Sequence, residues 1–97
     1  MTVGVLRFTF ASDVPLDEAE MTLQLATFAV EGLFGAARVR LECGYQVDPD
    51  AHALLVDDTT EVGTAVVRVL TGLLLREFGE DSFRVDRLNC PPRKAAA

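Results

Sequence analysis

The sequence contains no isoleucine and no tryptophan, and it has one lysine, one histidine and two cysteines. A single histidine, His52, cannot build a metal site or a catalytic arrangement that needs several histidines. The cysteines, Cys43 and Cys90, lack metal-ligand spacing, and no secretion leader precedes the first predicted strand. These features predict a protein of the reducing cytoplasm.

Positive charge is scarce as well. Lys and Arg total 9 against 15 Asp and Glu, which gives a net charge of −6 and a pI near 4.6. Such a chain repels phosphate backbones and anionic lipids, so neither nucleic acid nor a membrane is predicted as a partner. The longest apolar stretch, residues 62–75, is interrupted by Arg68 and is shorter than the roughly 20 residues that span a bilayer.

Apolar residues, in contrast, are abundant. They make up 49% of the 97 residues, and the mean hydropathy is +0.24. This composition excludes a disordered chain, and the length supports one domain with one core, which we place at residues 1–90. Residues 91–97 begin with two prolines and are predicted to form a disordered tail, whose three alanines resemble a cloning remnant.

The chain also resembles itself. Phe34-Gly35 recurs as Phe78-Gly79, and at the same offset residues 39–42 align with residues 83–86. In each copy an apolar helix ends at Phe-Gly and a strand with an outward arginine is expected to follow. The repeat predicts two strand-helix-strand halves.

Periodicity and end signals define the elements of these halves. They predict helices over 15–34 and 60–78, and strands over 3–10, 37–47, 52–57 and 82–88. The clean alternation over 37–47 makes it the best defined of the predicted strands, with Cys43 among its inward residues. The resulting βαββαβ order resembles the ferredoxin-like plait, an α+β two-layer sandwich. Its antiparallel sheet has the order 4-1-3-2, and both helices lie on one face. That fold hosts many unrelated activities and implies none.

The open face of the predicted sheet concentrates basic side chains in an acidic protein. The residues expected there are Arg7, Arg38, Arg40, Glu42, Arg84 and Asp86. Cross-strand ion pairs on a solvated face would account for them. A docking face for an acidic or β-rich partner is the alternative, because arginine is favoured at interfaces.

The helices carry more apolar side chains than one sheet-facing stripe can bury. We expect Leu23, Ala26, Val30 and Leu33 to face the sheet. The surplus predicts an outward helical interface formed by Met21, Leu25, Phe28, Ala29, Val69 and Leu73. The sequence thus favours a non-enzymatic interaction or assembly module without a cofactor, which binds a protein partner or, more simply, a second copy of itself as a homodimer.

A second interpretation uses acidic residues at one end of the sheet. Asp13 follows the first strand, while Asp48 and Asp50 lie in the turn after the second, and the topology brings these segments to the same end. Carboxylate oxygens are the ligands that Mg²⁺ and Ca²⁺ prefer. The alternative prediction is therefore a regulatory domain that binds a divalent cation or a small ligand there.

Overall fold

The computed structural model describes residues 3–90, which form an α+β fold with a four-stranded antiparallel open sheet and three helices. The predicted tail, residues 91–97, lies outside the described residues. The strands are β1 (Val3–Phe10), β2 (Tyr45–Asp48), β3 (Ala53–Asp57) and β4 (Phe83–Cys90). The helices are α1 (Leu16–Phe34), α2 (Ala36–Glu42) and α3 (Glu61–Phe78), and a 3-10 turn (Glu80–Ser82) leads into β4.

The sheet has the order β2-β3-β1-β4, which is the predicted 4-1-3-2 when it is read from the β4 edge. On β1 the alternation is as predicted: Leu6, Phe8 and Phe10 are buried under the helices, while Arg7 lies on the open face. The register opposes Arg7 to Leu55 on one side and to Asp86 on the other.

Both long helices begin and end within one residue of their predicted limits. Gly35 and Gly79 end α1 and α3 with φ of 89°, a backbone conformation that favours glycine. Thr60 caps α3, because its side-chain oxygen accepts a hydrogen bond of 2.9 Å from the backbone N–H of Gly63. The end signals in the sequence were therefore sufficient to place these two elements.

The predicted strand over 37–47 is wrong. Residues 36–42 form α2, and β2 begins only at Tyr45. Ala, Arg, Leu and Glu are strong helix formers, and Arg38 bonds Glu42 one turn later at 3.0 Å, so local preference overrides the alternating pattern. Of the expected inward residues in this segment only Val39 is buried, and Leu41 is 85% exposed. The two halves of the chain are therefore not structural copies.

The core lies between the sheet and the inner faces of α1 and α3. Its fully buried large side chains are Phe8, Leu23, Val30, Leu54, Val56, Val62, Val66, Leu70 and Leu74. At the far edge, Arg87 on β4 forms a salt bridge of 2.9 Å with the nearly buried Asp58, which ties β4 to the loop before α3. None of the helices in residues 3–90 combines the length and the hydrophobicity that a bilayer span requires.

Candidate interaction surface on the helical layer

Helix α1 carries two apolar stripes on opposite faces. The inner stripe consists of Ala19, Leu23, Ala26 and Val30, and all four residues are 0% exposed. Their spacing of four, three and four residues keeps them on one side of the helix. This stripe accounts for the contact of α1 with the sheet.

The outer stripe has the same spacing and consists of Met21, Leu25, Phe28 and Gly32. It begins two residues after the inner one, which turns it by about 200° around the helix axis. Met21 is 65% exposed, Leu25 55% and Phe28 71%. This heptad-like arrangement is the seam that paired helices use, and within the described structure no element covers it.

Two neighbours extend the apolar surface beyond the outer stripe. Ala29 is exposed, as expected for the predicted interface. Leu33, which was expected to face the sheet, is 74% exposed instead, since it lies in the last turn of α1. The sequence expectation for Leu33 is therefore wrong, and the exposed apolar surface follows α1 along most of its length.

Helix α3 contributes less to this surface than the sequence suggested. Val69 and Leu73 are only partly exposed, because they pack against the core. Its outward positions are largely polar or small, with Thr64, Arg68, Gly72 and Arg76 exposed, and Leu75 is 45% exposed. The exposed part of the predicted helical interface therefore lies mainly on α1.

A groove of about 600 Å³ lies where the amino-terminal end of α1 meets the carboxyl-terminal end of α3. Met21 and Leu25 form its apolar wall, Thr22 lies beside them, and Asp17, Glu18 and Glu77 supply its carboxylates. Thr22 donates a hydrogen bond of 2.7 Å from its hydroxyl to Glu77. We call this the acidic groove.

A second groove, of about 500 Å³, lies at the opposite end of the helical layer. Its lining is Leu33, Phe34, Glu61, Thr64, Ala65, Arg68 and Val69. Glu61 is paired with Arg38 at 2.9 Å, so its charge is offset from within the chain. Among the salt bridges of residues 3–90 none involves Arg68. We call this the Arg68 groove.

The open sheet face keeps only part of the predicted arginine cluster. Arg7 and Arg84 both approach Asp86 at 3.6 Å, a long separation for an exposed ion pair. The other predicted members, Arg38, Arg40 and Glu42, lie on α2 instead, which corrects their assignment to the sheet. Arg38 stacks over the ring of Phe34 at 4.9 Å and pairs with Glu61, so it contacts two of the residues that line the Arg68 groove. The sheet face therefore lacks half of the residues on which a docking surface was predicted.

The acidic loop end is built from turn interactions. An Asp48 side-chain oxygen accepts a hydrogen bond of 3.3 Å from the backbone N–H of Ala51, while Asp13 and Asp50 are exposed. His52, with φ of 54°, places its ring nitrogen 2.7 Å from the carbonyl of Val14 and so connects the hairpin to the loop before α1. Over residues 3–90, no three His, Cys, Asp or Glu side chains form a group that could hold a metal ion.

Cys43 also differs from its predicted position. It ends α2 and is partly buried, where it was expected within an alternating strand. Burial raises the pKa of the Cys43 thiol, the nearby charge of Asp57 adds to the rise, and a hydrogen bond with Thr27 opposes it. A raised pKa leaves little thiolate at neutral pH, so the arrangement does not favour a nucleophile.

The two grooves and Gly32 were missed in the sequence, although one pattern pointed to the glycine. The four-three-four spacing of the outer stripe is visible in the letters alone and includes Gly32 as its fourth member. The grooves depend on how α1 and α3 lie side by side, which no pattern within one helix encodes.

Comparison of the chain with known protein families, with curated proteins and with solved structures finds no significant match.

Proposed function

We propose that this chain is a non-enzymatic assembly module that self-associates through the outer stripe of α1. The observation that carries the proposal is the exposure of Met21, Leu25 and Phe28 on a single helix face at heptad-like spacing. Soluble monomers rarely leave contiguous apolar patches of this kind in water. The architecture fits our interpretation of the fold as a ferredoxin-like plait, whose helical layer is free for such a contact.

The exposed area supports an interface of useful size. The fractional exposures of Met21, Leu25, Phe28 and Leu33 amount to roughly 500 Å² of apolar surface, given the size of such side chains. A standard protein interface buries about 800 Å² on each partner. The groove walls beside α1 can supply the remainder. Fully burying one such side chain contributes about 1.5–3 kcal/mol, and each of these four has half or more of its surface still to bury.

A second copy is the simplest partner for this surface. An isologous contact uses the same patch twice, so one stripe is both the surface and its complement. Homodimer interfaces are also more apolar than transient ones, which matches a stripe without a charged member.

Light scattering coupled to size-exclusion chromatography tests the proposal. At tens of micromolar, the wild-type chain is expected to elute with twice its 10.5 kDa mass. The variant Phe28→Glu is expected to weaken association by about 30-fold or more, because it places two charges at the centre of the contact. Leu41→Glu is the matched control, since Leu41 is 85% exposed on α2, away from the stripe, and is expected to leave the mass unchanged. A wild-type monomer, or a dimer that Phe28→Glu does not weaken, would overturn the proposal.

A further inference from the structure

We infer that the two copies pack with their α1 helices antiparallel, so that the acidic groove of one protomer receives Arg68 of the partner subunit. This inference rests on the proposed self-association and adds its orientation and its charged contacts. It follows from two independent features of the helical layer, namely the charge at its two ends and the volume of the residues along the outer stripe.

The charge feature is a difference between the two ends of the layer. Asp17, Glu18 and Glu77 line the acidic groove, and among residues 3–90 no salt bridge neutralises them. At the other end Arg68 is exposed and equally without an ion pair in the described structure. Each end therefore presents charge that the same chain leaves unpaired.

Orientation decides whether these charges attract or repel. In a parallel dimer the acidic groove of one protomer faces the acidic groove of the other, and like charges brought together at an interface are unfavourable. In an antiparallel dimer the acidic groove faces the Arg68 groove, and this contact occurs twice because of the two-fold axis. Antiparallel helices also bring opposite ends of their dipoles together. Arg76, although adjacent to Glu77, does not line the acidic groove.

The volume feature leads to the same orientation. With the two-fold axis midway along the outer stripe, Met21 lies opposite Gly32 of the partner subunit, and Leu25 lies opposite the partner's Phe28. Large residues then meet small ones at both ends of the contact, which is how packed layers interdigitate. The parallel arrangement would oppose Phe28 to the partner's Phe28 and Gly32 to the partner's Gly32. The two phenylalanine rings would then be overpacked, and a cavity would remain between the two glycines.

A charge-swap experiment tests the orientation directly. Glu77→Arg and Arg68→Glu each create two repulsive contacts in an antiparallel homodimer, so each variant alone is expected to dimerise about tenfold more weakly than wild type. An equimolar mixture of the two variants has two attractive contacts per heterodimer. It is expected to regain near wild-type affinity, measured by sedimentation velocity or by exchange of fluorescently labelled chains.

Two controls keep the outcome independent of folding. The double variant Glu77→Arg with Arg68→Glu carries both changes in one chain and is expected to recover homodimer formation. Thermal unfolding of each single variant checks that the fold is intact. Both positions are exposed on α3, and Glu77→Arg places a cation in its last turn, where the helix dipole favours it.

The outcomes separate this inference from the proposed function. If Phe28→Glu dissociates the dimer but the two charge variants show no preference for each other, the antiparallel contact is wrong and self-association stands. If neither single variant dimerises more weakly than wild type, and Glu77→Arg binds wild type more tightly than wild type binds itself, the dimer is parallel and the inference is overturned. If Phe28→Glu has no effect, both fall.

Discussion

The two long helices of one layer differ in how many apolar faces they carry. Helix α3 buries Val62, Val66, Leu70 and Leu74 and presents mostly polar or small residues to solvent. Helix α1 buries a similar stripe but repeats the pattern on its opposite face, where Phe28 is 71% exposed. Both helices pack on the same sheet, so the second face of α1 is not required by the fold. A stripe that the fold does not need is the part of the molecule most directly available for association.

The two helices also differ in how their first turns are capped. Thr60 caps α3 with a side-chain hydrogen bond, whereas Pro15 precedes α1 without one. A side-chain cap typically contributes about 1 kcal/mol. At the start of α1, an N–H of the first turn is bonded instead by Asp17, whose side-chain oxygen accepts a hydrogen bond of 3.0 Å from the backbone N–H of Glu18.

The inner and outer faces of α1 are expected to respond very differently to the loss of a leucine side chain. Leu23→Ala removes a fully buried side chain and is expected to lower the free energy of unfolding by about 2–5 kcal/mol. Leu25→Ala, two residues away on the outer stripe, is expected to change it by less than about 1 kcal/mol in the monomer while weakening dimerisation. Urea unfolding at low micromolar concentration measures the first quantity, and sedimentation measures the second.

The concentration dependence supplies the control for this pair. For the wild type, the unfolding midpoint is expected to rise with protein concentration, because association stabilises the native state. For Leu25→Ala that dependence is expected to shrink. Equal losses of monomer stability in both variants would show that the two faces of α1 are not distinct.

Both long helices could be predicted from the sequence because the signals that define them are local. Phe-Gly ends, a threonine cap and an apolar period of 3.6 all act within a few residues, and the structure confirms both predicted helices. The segment over 37–47 failed because a short alternating run is compatible with a strand and with two turns of helix alike. Residues 36–42, with two Ala, two Arg, one Leu and one Glu, form the helix α2 instead.

The predicted surfaces follow the same rule: those that depend on a single local element were predicted correctly, and those that depend on the placement of other elements were not. The exposure of Met21, Leu25 and Phe28 followed from counting apolar residues on one helix, and the structure agrees. The sheet-face cluster depended on the failed strand, so Arg38 and Arg40 moved with it to α2. The acidic and Arg68 grooves lie between two helices that are distant in sequence, and their charges could be related only after those helices had been placed.

Each long helix contains one exposed glycine, and the two glycines are expected to respond differently to substitution. Gly32 and Gly72 are both exposed inside helices, and a Cβ added at either meets nothing within 4 Å. Alanine at each position is expected to raise the monomer's free energy of unfolding by about 0.5–1 kcal/mol, because glycine disfavours helix. The dimer distinguishes them. Gly32→Ala adds volume where Met21 of the partner subunit is proposed to pack, and it should alter the dissociation constant more than Gly72→Ala, which lies outside the outer stripe of α1. Identical dissociation constants would remove Gly32 from the contact.

A weaker effect is expected at the end of the sheet where the loop before α1 meets the β2–β3 hairpin, since a cation site there would offer a different reason for the character of α1. A divalent ion needs several oxygens at about 2.0–2.6 Å. Asp48 already accepts a bond from the backbone of Ala51, and Asp13 and Asp50 are exposed. Millimolar Mg²⁺, Ca²⁺ or Mn²⁺ is therefore expected to leave the thermal midpoint within about 1 °C, since a ligand stabilises a protein only when it prefers the native state. The matched control is the triple variant Asp13→Asn, Asp48→Asn, Asp50→Asn. A rise in the wild type that this variant abolishes would assign the loop end to ligand binding and leave the outer stripe of α1 to be explained as the contact that such a site regulates.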